Sequence, residues 1–517
     1  MSDRLLGNTL ISMYVKCGNL IDARKVFDRM SEGDVCSWTV MIAAYGKYGP
    51  AEEALQLFEK MQPKPNSFTF ASVISACANL RFLDQGVQIH KEVIKRGFEF
   101  HISVTNALID MYAKCCKIDK ARQLFDKMSQ PNVVSCTSMI TGYAYNRLVD
   151  EALKVFQQMP QRDVFSWNAM LAGYLRNGLT DEATVFFKGI PCRDTVSWNV
   201  MIAGYAQNGL VDEALHLFEE MPQPSIVAWN AVIAGYAQSE HSEQALQIFH
   251  QMQSAGIKPN SKTFVSVLPA CANLTALEQG IEIHDKIIAS GFQYDEFVMS
   301  ALIDMYAKCG NIEKARELFD KIHRQDVVCW TTMISGYAMN GCAQEALKLF
   351  EQMKCSGTSP NHVTFLSVLT ACSHAGLVEE GFQCLNSMVE CYHIEPGIAH
   401  YRCTVDLLCR AGRLDEAQDF IHKMPVKPDV AVWSCLLNAC RLYNNIELGK
   451  QAADCIFKLE PTDATPYVVL SNIYAAADRW DDTEKVRKFI KNRGLKKAPG
   501  CSWIEINKQV HAFLSPK

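Results

Sequence analysis

The sequence predicts an all-α protein, a right-handed α-solenoid superhelix of helix-turn-helix repeats, on three observations. WNAMLAGYLRNGLTDEA begins at Trp167, WNVMIAGYAQNGLVDEA at Trp198 and WNAVIAGYAQS at Trp229, a constant spacing of 31 residues. Self-similarity at a short fixed period marks stacked units that bury their apolar stripes against one another. Larger blocks recur as well: CANLRFLDQGVQIH at Cys77 returns as CANLTALEQGIEIH at Cys271, and NALIDMYAKC at Asn106 returns as SALIDMYAKC at Ser300, each 194 residues on. Within unit 195–225 the apolar residues keep helical spacing, with Trp198, Met201, Ile202 and Tyr205 on a first helix. Ala214, Leu217, Phe218 and Met221 mark a second; Asn208-Gly209 breaks the chain between them and Pro222 ends the pair.

Applied along the chain, this template gives contiguous units 4–34, 35–66, 67–101, 102–132, 133–163, 164–194, 195–225, 226–260, 261–295, 296–326, 327–361, 362–397 and 398–429. After Asp429 the opening changes. Segments 430–463 and 464–500 still read as helix pairs, and the tail 501–517 (CSWIEINKQVHAFLSPK) alternates like a strand.

A chain of 517 residues would otherwise suggest several globular domains, but a repeat array has no central core to divide. No apolar run is long enough to span a membrane, so no membrane partner is expected. The 21 cysteines recur in phase: Cys17, Cys115 and Cys309 in one position, Cys77, Cys271, Cys372 and Cys440 in another. Equivalent positions of successive units lie too far apart to bridge, so these are expected to be small, buried, reduced residues. A net charge of −5 argues against bulk electrostatic binding of nucleic acid, yet leaves room for a locally basic groove. With the first unit opening at Arg4, no presequence fits before it; either a cytosolic protein or a chain lacking its true N-terminus is expected, and a unit already in mid-pattern at Arg4 favours the second.

The tetratricopeptide repeat keeps a 34-residue period and a W-x-x-L-G-x-x-Y pattern, which these units do not follow. The chain instead resembles the pentatricopeptide repeat family, and its PLS subclass of plant organellar proteins. Units 67–101, 261–295 and 362–397 (SACANL, PACANL, TACSHAG) resemble long L units. Units 4–34, 102–132 and 296–326 (MYVKCG, MYAKCC, MYAKCG) resemble short S units, and 35–66, 226–260 and 327–361 resemble P units ending in Pro-Asn. Units 133–163, 164–194 and 195–225 are consecutive short units, and 398–429 resembles the terminal S unit. Residues 430–463 and 464–500 resemble the E1 and E2 motifs, the latter through SNIYAAADRWDD and Pro499-Gly500. PGCSWIEIN resembles the segment that leads into the DYW deaminase domain, and the sequence stops before any catalytic motif of that domain.

The resemblance implies single-stranded organellar RNA as partner, one base per unit, read by the fifth and last residues of each. Asn8 with Asp34 then implies U, Thr39 with Asn66 A, Asn106 with Asn132 a pyrimidine (C preferred), and Thr137 with Asp163 G. Asn168 with Asp194 implies U, Asn199 with Ser225 C, Asn230 with Asn260 a pyrimidine, Ser300 with Asp326 G, and Thr331 with Asn361 A. Second residues Val134, Phe165, Val196, Val227 and Val328 would flank the bases. The L-unit pairs Ala71/His101, Val265/Asp295 and Leu366/Gly397, and Arg402/Asp429 in the last unit, match no strong code. The implied site is 5′-U-A-n-Y-G-U-C-Y-n-G-A-n-n-3′. An Asn or Thr near the start of a helix also has a plainer use, as its N-cap.

Relatives with E motifs guide C-to-U editing, a deamination that needs zinc-bound water and a Glu, from H-x-E and P-C-x-x-C. This chain has no C-x-x-C to complete such a site, and the H-x-E at His90-Lys91-Glu92 falls within an L-unit helix pattern. The chain is therefore read as a non-enzymatic recognition factor without metal, cofactor or small-molecule substrate. Units 4–429 would bind RNA, and 430–500 would recruit a DYW-type deaminase or an editing accessory protein. A mitochondrial location is expected, with the chloroplast as alternative. A role in RNA stability, splicing or translation without editing remains open, as does a protein-binding scaffold.

Overall fold

The structure is a computed structural model. It describes residues 2–30, 33–239, 241–322, 325–492, 501–506 and 509–514, with side chains described from residue 5 to residue 492 within those ranges. It consists of helix pairs in series, divided into two compact bodies, residues 1–235 and 236–517. The boundary falls within the helix Ile226–Gln238.

Unit 195–225 shows why the sequence folds this way. Its helices run Thr195–Gln207 and Val211–Glu220. Met201, Ile202 and Tyr205 of the first, and Ala214, Phe218 and Met221 around the second, are buried, while Trp198 and Leu217 are half-buried. The turn is made by Gly209 at φ +78°, a left-handed conformation that favours glycine. Asn208 does more than break the chain. Its amide donates to Gly204 O at 2.7 Å and to Leu175 O of the preceding unit at 2.9 Å. Asn146 and Asn177 bond Ala113 O and Ala144 O in the same way, as does Asn340 to Ala307 O in the second body. Successive first helices are thus hydrogen-bonded to one another. They also approach closely, since a Cβ on Gly204 would stand 2.4 Å from Leu175 Cδ1.

The tryptophans join units from the other side. Trp38, Trp167, Trp198, Trp229 and Trp330 each meet the Phe of the preceding second helix edge-on, with centroids 4.5–5.1 Å apart. Such aromatic pairs add about 0.5–1.5 kcal/mol beyond the area they bury.

The pairs continue past Asp429 as Val430–Leu442 with Ile446–Leu459, and Thr465–Ala476 with Trp480–Asn492. The tail, expected as one strand, forms two: Cys501–Ile506 pairs antiparallel with Gln509–Leu514. Pro499 and Gly500, part of the E2 resemblance, and residues 515–517 lie outside the described residues. No helix among the described residues is long and apolar enough to cross a membrane.

The cysteine expectation needs correction. Cys77, Cys271, Cys372 and Cys440 are fully buried, and burial pushes the Cys77 thiol up to about 12. Cys17, however, is exposed, and Cys115 and Cys309 are only half-buried. These three sit at the C-terminal ends of first helices, where the chain turns away from the packed face. Among the cysteines whose side chains are described, Cys17, Cys77 and Cys115 form no disulfide.

Candidate nucleic-acid interface

The last residue of each unit immediately precedes the next first helix, and this placement makes it the N-cap. Asp34, Asn66, Asn132, Asp163, Asp194, Asn260, Asp326 and Asn361 each accept the backbone N–H of the residue three further on. Ser225 does the same for Ala228 at 3.2 Å. A cap of this kind contributes about 1 kcal/mol. The fifth residues have no such role: Asn168, for example, lies a turn inside Val164–Arg176. Capping therefore accounts for last residues and leaves the fifth residues unexplained.

The structure brings fifth and last residues together in units 4–34, 164–194 and 195–225. Asn8 Nδ2 lies 3.2 Å from both carboxylate oxygens of Asp34, and Asn168 Nδ2 donates to Asp194 Oδ1 at 3.3 Å. A carboxylate only accepts, so the amide must turn its NH2 toward it and its oxygen away. Asn8 Oδ1 and Asn168 Oδ1 are buried without a hydrogen bond, and so is Asn106 Oδ1. An unsatisfied acceptor of this kind costs about 1–3 kcal/mol. In unit 195–225 the polarity is reversed. Ser225 Oγ donates to Asn199 Oδ1 at 2.7 Å, which leaves the Asn199 NH2 as the open group.

Elsewhere the fifth residue bonds other partners. Thr137 Oγ1 donates to Val133 O at 2.7 Å and so keeps only lone pairs, beside an Asp163 that also only accepts. Thr39 meets Thr69 Oγ1 at 2.7 Å, and Thr331 meets Thr364 Oγ1 at 2.7 Å. Ser300 meets Cys329 Sγ at 3.0 Å rather than Asp326. Asn132 gives its oxygen to Ser135 and makes no bond to Asn106. Asn230 is buried on its helix in the first body, and Asn260, in the second, caps Ser261–Leu274 through Thr263.

The Asp34 and Asp194 carboxylates are held ionised. Hydrogen bonds led by the Ser37 backbone N–H, and joined by Asn8, keep the Asp34 carboxyl below its ordinary range. Burial pushes Asp194 up, but bonds from Ser197 and Asn168 outweigh it and the net shift is also downward.

The second residues form the other half of the surface. Val134, Phe165, Val196, Val227 and Val328 are all more than half exposed, Phe165 the most at 77 %. Leu5, Phe68, Phe297 and Val363 hold the same place in their units and are equally exposed, which the sequence reading missed. Counting to the second place in every unit would have found them. Exposed apolar side chains repeated in phase, beside polar groups with open hydrogen-bonding capacity, suit a flat ring bearing a polar edge.

The unread units differ as their side chains require. Ala71, Val265 and Leu366 bring no polar atom to the fifth place, while Asp295 and Asp429 still cap. The H-x-E segment is structural: His90 Nδ1 lies 2.8 Å from Tyr112 Oη, a pair repeated by His284 and Tyr306. Glu92 pairs with Arg96. Burial lowers the pKa of both histidines.

Comparison with known proteins follows this geometry closely. The profile of the PPR repeat matches residues 8–35, 68–98, 103–132, 134–164, 165–193, 196–223, 297–327, 363–393 and 400–427. The PPR repeat family profile matches 33–79, 224–273 and 325–374, and the E motif profile matches 443–505. In Arabidopsis thaliana, the mitochondrial pentatricopeptide repeat-containing protein At2g03880 is 40% identical over 98% of this chain and 66% of its own length. The chloroplastic protein At1g11290 is 41% identical over 98% of this chain and 64% of its own length. The chain thus spans just under two thirds of these relatives. Among solved structures, the pentatricopeptide repeat protein PPR10 in complex with an 18-nt psaJ RNA element aligns over 95% of this chain and 80% of its own, at TM-score 0.57 and 19% identity. At that identity the likeness concerns the fold.

Proposed function

The chain belongs to the pentatricopeptide repeat family, and from that premise we propose that it binds single-stranded RNA sequence-specifically and marks sites for C-to-U editing in an organelle. The observation that carries this reading is the open hydrogen-bonding capacity of the paired fifth and last residues, set beside an exposed apolar residue in the second place.

The capacities match base edges. Asn8 with Asp34, and Asn168 with Asp194, offer acceptors where the uracil edge has its N–H donor. A small rotation of the amide toward an incoming base would relieve its stranded oxygen. Asn199, turned around by Ser225, offers a donor where cytosine has a ring acceptor. Thr137 with Asp163 offers two acceptors to the two donors of guanine, and the shorter threonine leaves room for a purine. Each mismatch would strand a polar group, at about 1–3 kcal/mol. The exposed second residues would hold the ring faces, as aromatic and apolar platforms do in single-strand binders.

The editing role rests on the E motif match and on the organelle names carried by the relatives, mitochondrial in one and chloroplastic in another. We favour the mitochondrion. In this reading residues 430–500 recruit a DYW-type deaminase or an editing accessory protein, and this chain supplies recognition alone.

The test is binding of the purified chain to the 13-nucleotide implied site, against a copy in which purines replace the U-C step under Asn168 and Asn199, at one fixed salt concentration. Selective loss of binding to the altered RNA is expected. Equal binding to both would end the base-reading proposal and favour a protein-binding scaffold.

A further inference from the structure

We infer that the third residue of the following unit takes part in base choice: the buried hydroxyls of Thr69 and Thr364 set the hydrogen-bond polarity of the Thr39/Asn66 and Thr331/Asn361 pairs. This rests on the RNA-reading proposal and adds a positioning residue to it.

The argument is a count of protons. Thr69 Oγ1 has three neighbours. It lies 3.3 Å from the Asn66 backbone N–H, 3.0 Å from Asn66 Oδ1 and 2.7 Å from Thr39 Oγ1. A hydroxyl has one proton and two lone pairs. The backbone N–H takes one lone pair. Asn66 Oδ1 can only accept, so the single proton of Thr69 goes to it. The short contact to Thr39 is then a hydrogen bond only if Thr39 donates. Every group is satisfied in this arrangement, as the complete burial of Thr69 demands.

Two consequences reach the ligand side. Thr39 has spent its proton inward and presents lone pairs alone. Asn66 Oδ1 is filled by the Thr69 N–H (2.9 Å) and O–H, so the amide presents its NH2. The pair is an acceptor beside a donor, the complement of the amino group and ring nitrogen on the adenine edge. Were the Thr69 proton turned toward Thr39 instead, Thr39 would present a donor and the pair would lose that match.

The same arrangement occurs in the second body. Thr364 Oγ1 lies 3.2 Å from Asn361 N, 3.1 Å from Asn361 Oδ1 and 2.7 Å from Thr331 Oγ1, and Thr364 is also fully buried. Unit 133–163 shows the contrast. Its Thr137 discharges its proton to its own helix at Val133 O, and Ser166 in the third place of the next unit bonds the Asp163 backbone oxygen at 2.8 Å. Thr137 there owes its polarity to its own backbone, and no relay is formed.

The experiment uses the full chain and two RNAs that differ only in A or G under unit 35–66. Wild type is expected to prefer A. Thr69→Val keeps the shape but removes the relay, and the A-over-G ratio should fall about tenfold, the loss that goes with one misplaced hydrogen-bonding group. Thr69→Ser should restore it. Discrimination of C from U under unit 195–225, measured on the same samples, should not change, which shows that Thr69→Val is folded and binding. A Thr69→Val chain that keeps the A preference overturns the inference and leaves the RNA reading intact. A wild-type chain that discriminates under no unit overturns the RNA reading, and the relay with it.

Discussion

The array and the terminal helix pairs are built from the same kind of helix pair yet differ in how regularly they expose apolar side chains. In units 133–225 the second residues Val134, Phe165 and Val196 point out of the packed structure and stay exposed. Beyond Asp429 the rings turn onto one another. Phe457 and Tyr467 stack at 3.8 Å with planes 11° apart, and Tyr467 continues to Phe489 at 5.2 Å. The terminal pairs also leave apolar side chains exposed, among them Leu442, Tyr443 and Trp480, but these do not recur at the second place of a unit. The difference is one of regularity: the array repeats an exposed apolar residue in phase, which is what a repeating ligand would need, and the terminal pairs do not.

The largest way to break that comparison is to remove one side of it. Deletion of 430–517 should abolish editing of the target transcript while leaving affinity for the 13-nucleotide RNA within about twofold, since rim changes far from a contact contribute little. A transcript-editing assay and a binding titration on the same chain would check both halves. Editing that survives the deletion would show that the terminal pairs recruit nothing.

A sharper test works within one unit. Ser225→Asp should turn the Asn199 amide around, because a carboxylate cannot donate to its oxygen as the Ser225 hydroxyl does. The unit should move from C toward U by about tenfold in relative affinity, the scale of one correctly placed hydrogen bond. Competition between two RNAs differing at that nucleotide measures it. Unchanged C preference would mean that the hydrogen bond between Ser225 and Asn199 does not set the reading.

Much of this was legible before any coordinates. The 31-residue period fixed the helix pairs, their breaks and the alignment of fifth and last residues, because a strict repeat imposes the same local chemistry on every unit. What was not legible depended on partners in the neighbouring unit. Asn208 read as a chain breaker, and only its bond to Leu175 O shows it joining two units. Leu5, Phe68, Phe297 and Val363 hold the same second place, and their exposure follows from that position in the unit. Cys17, Cys115 and Cys309 were expected to be buried because they recur in phase, but phase does not say that the position lies where a helix ends. The Thr39–Thr69 contact joins residues 30 apart and has no signature in either segment.

The smallest expected effect concerns pH, and its sign follows from the direction of the carboxylate shifts. Asp34 and Asp194 are both held below the ordinary range, by bonds to the helix they cap and to the reading asparagine. A depressed carboxylate stabilises the fold fully above its unfolded value, near pH ~4, and loses that contribution only as the pH falls through its folded value. Asp194 therefore stays an ionised acceptor throughout the range in which RNA binding is measured. The preference for U over C under unit 164–194 should be the same at about pH 5.5 and about pH 8, because no group in the Asn168–Asp194 pair changes charge between them. Competition binding at the two pH values checks this. A preference that weakens at the lower value would mean the carboxylate takes up a proton there, so that it no longer fixes the NH2 of Asn168, and the polarity argument for this unit would fail with it.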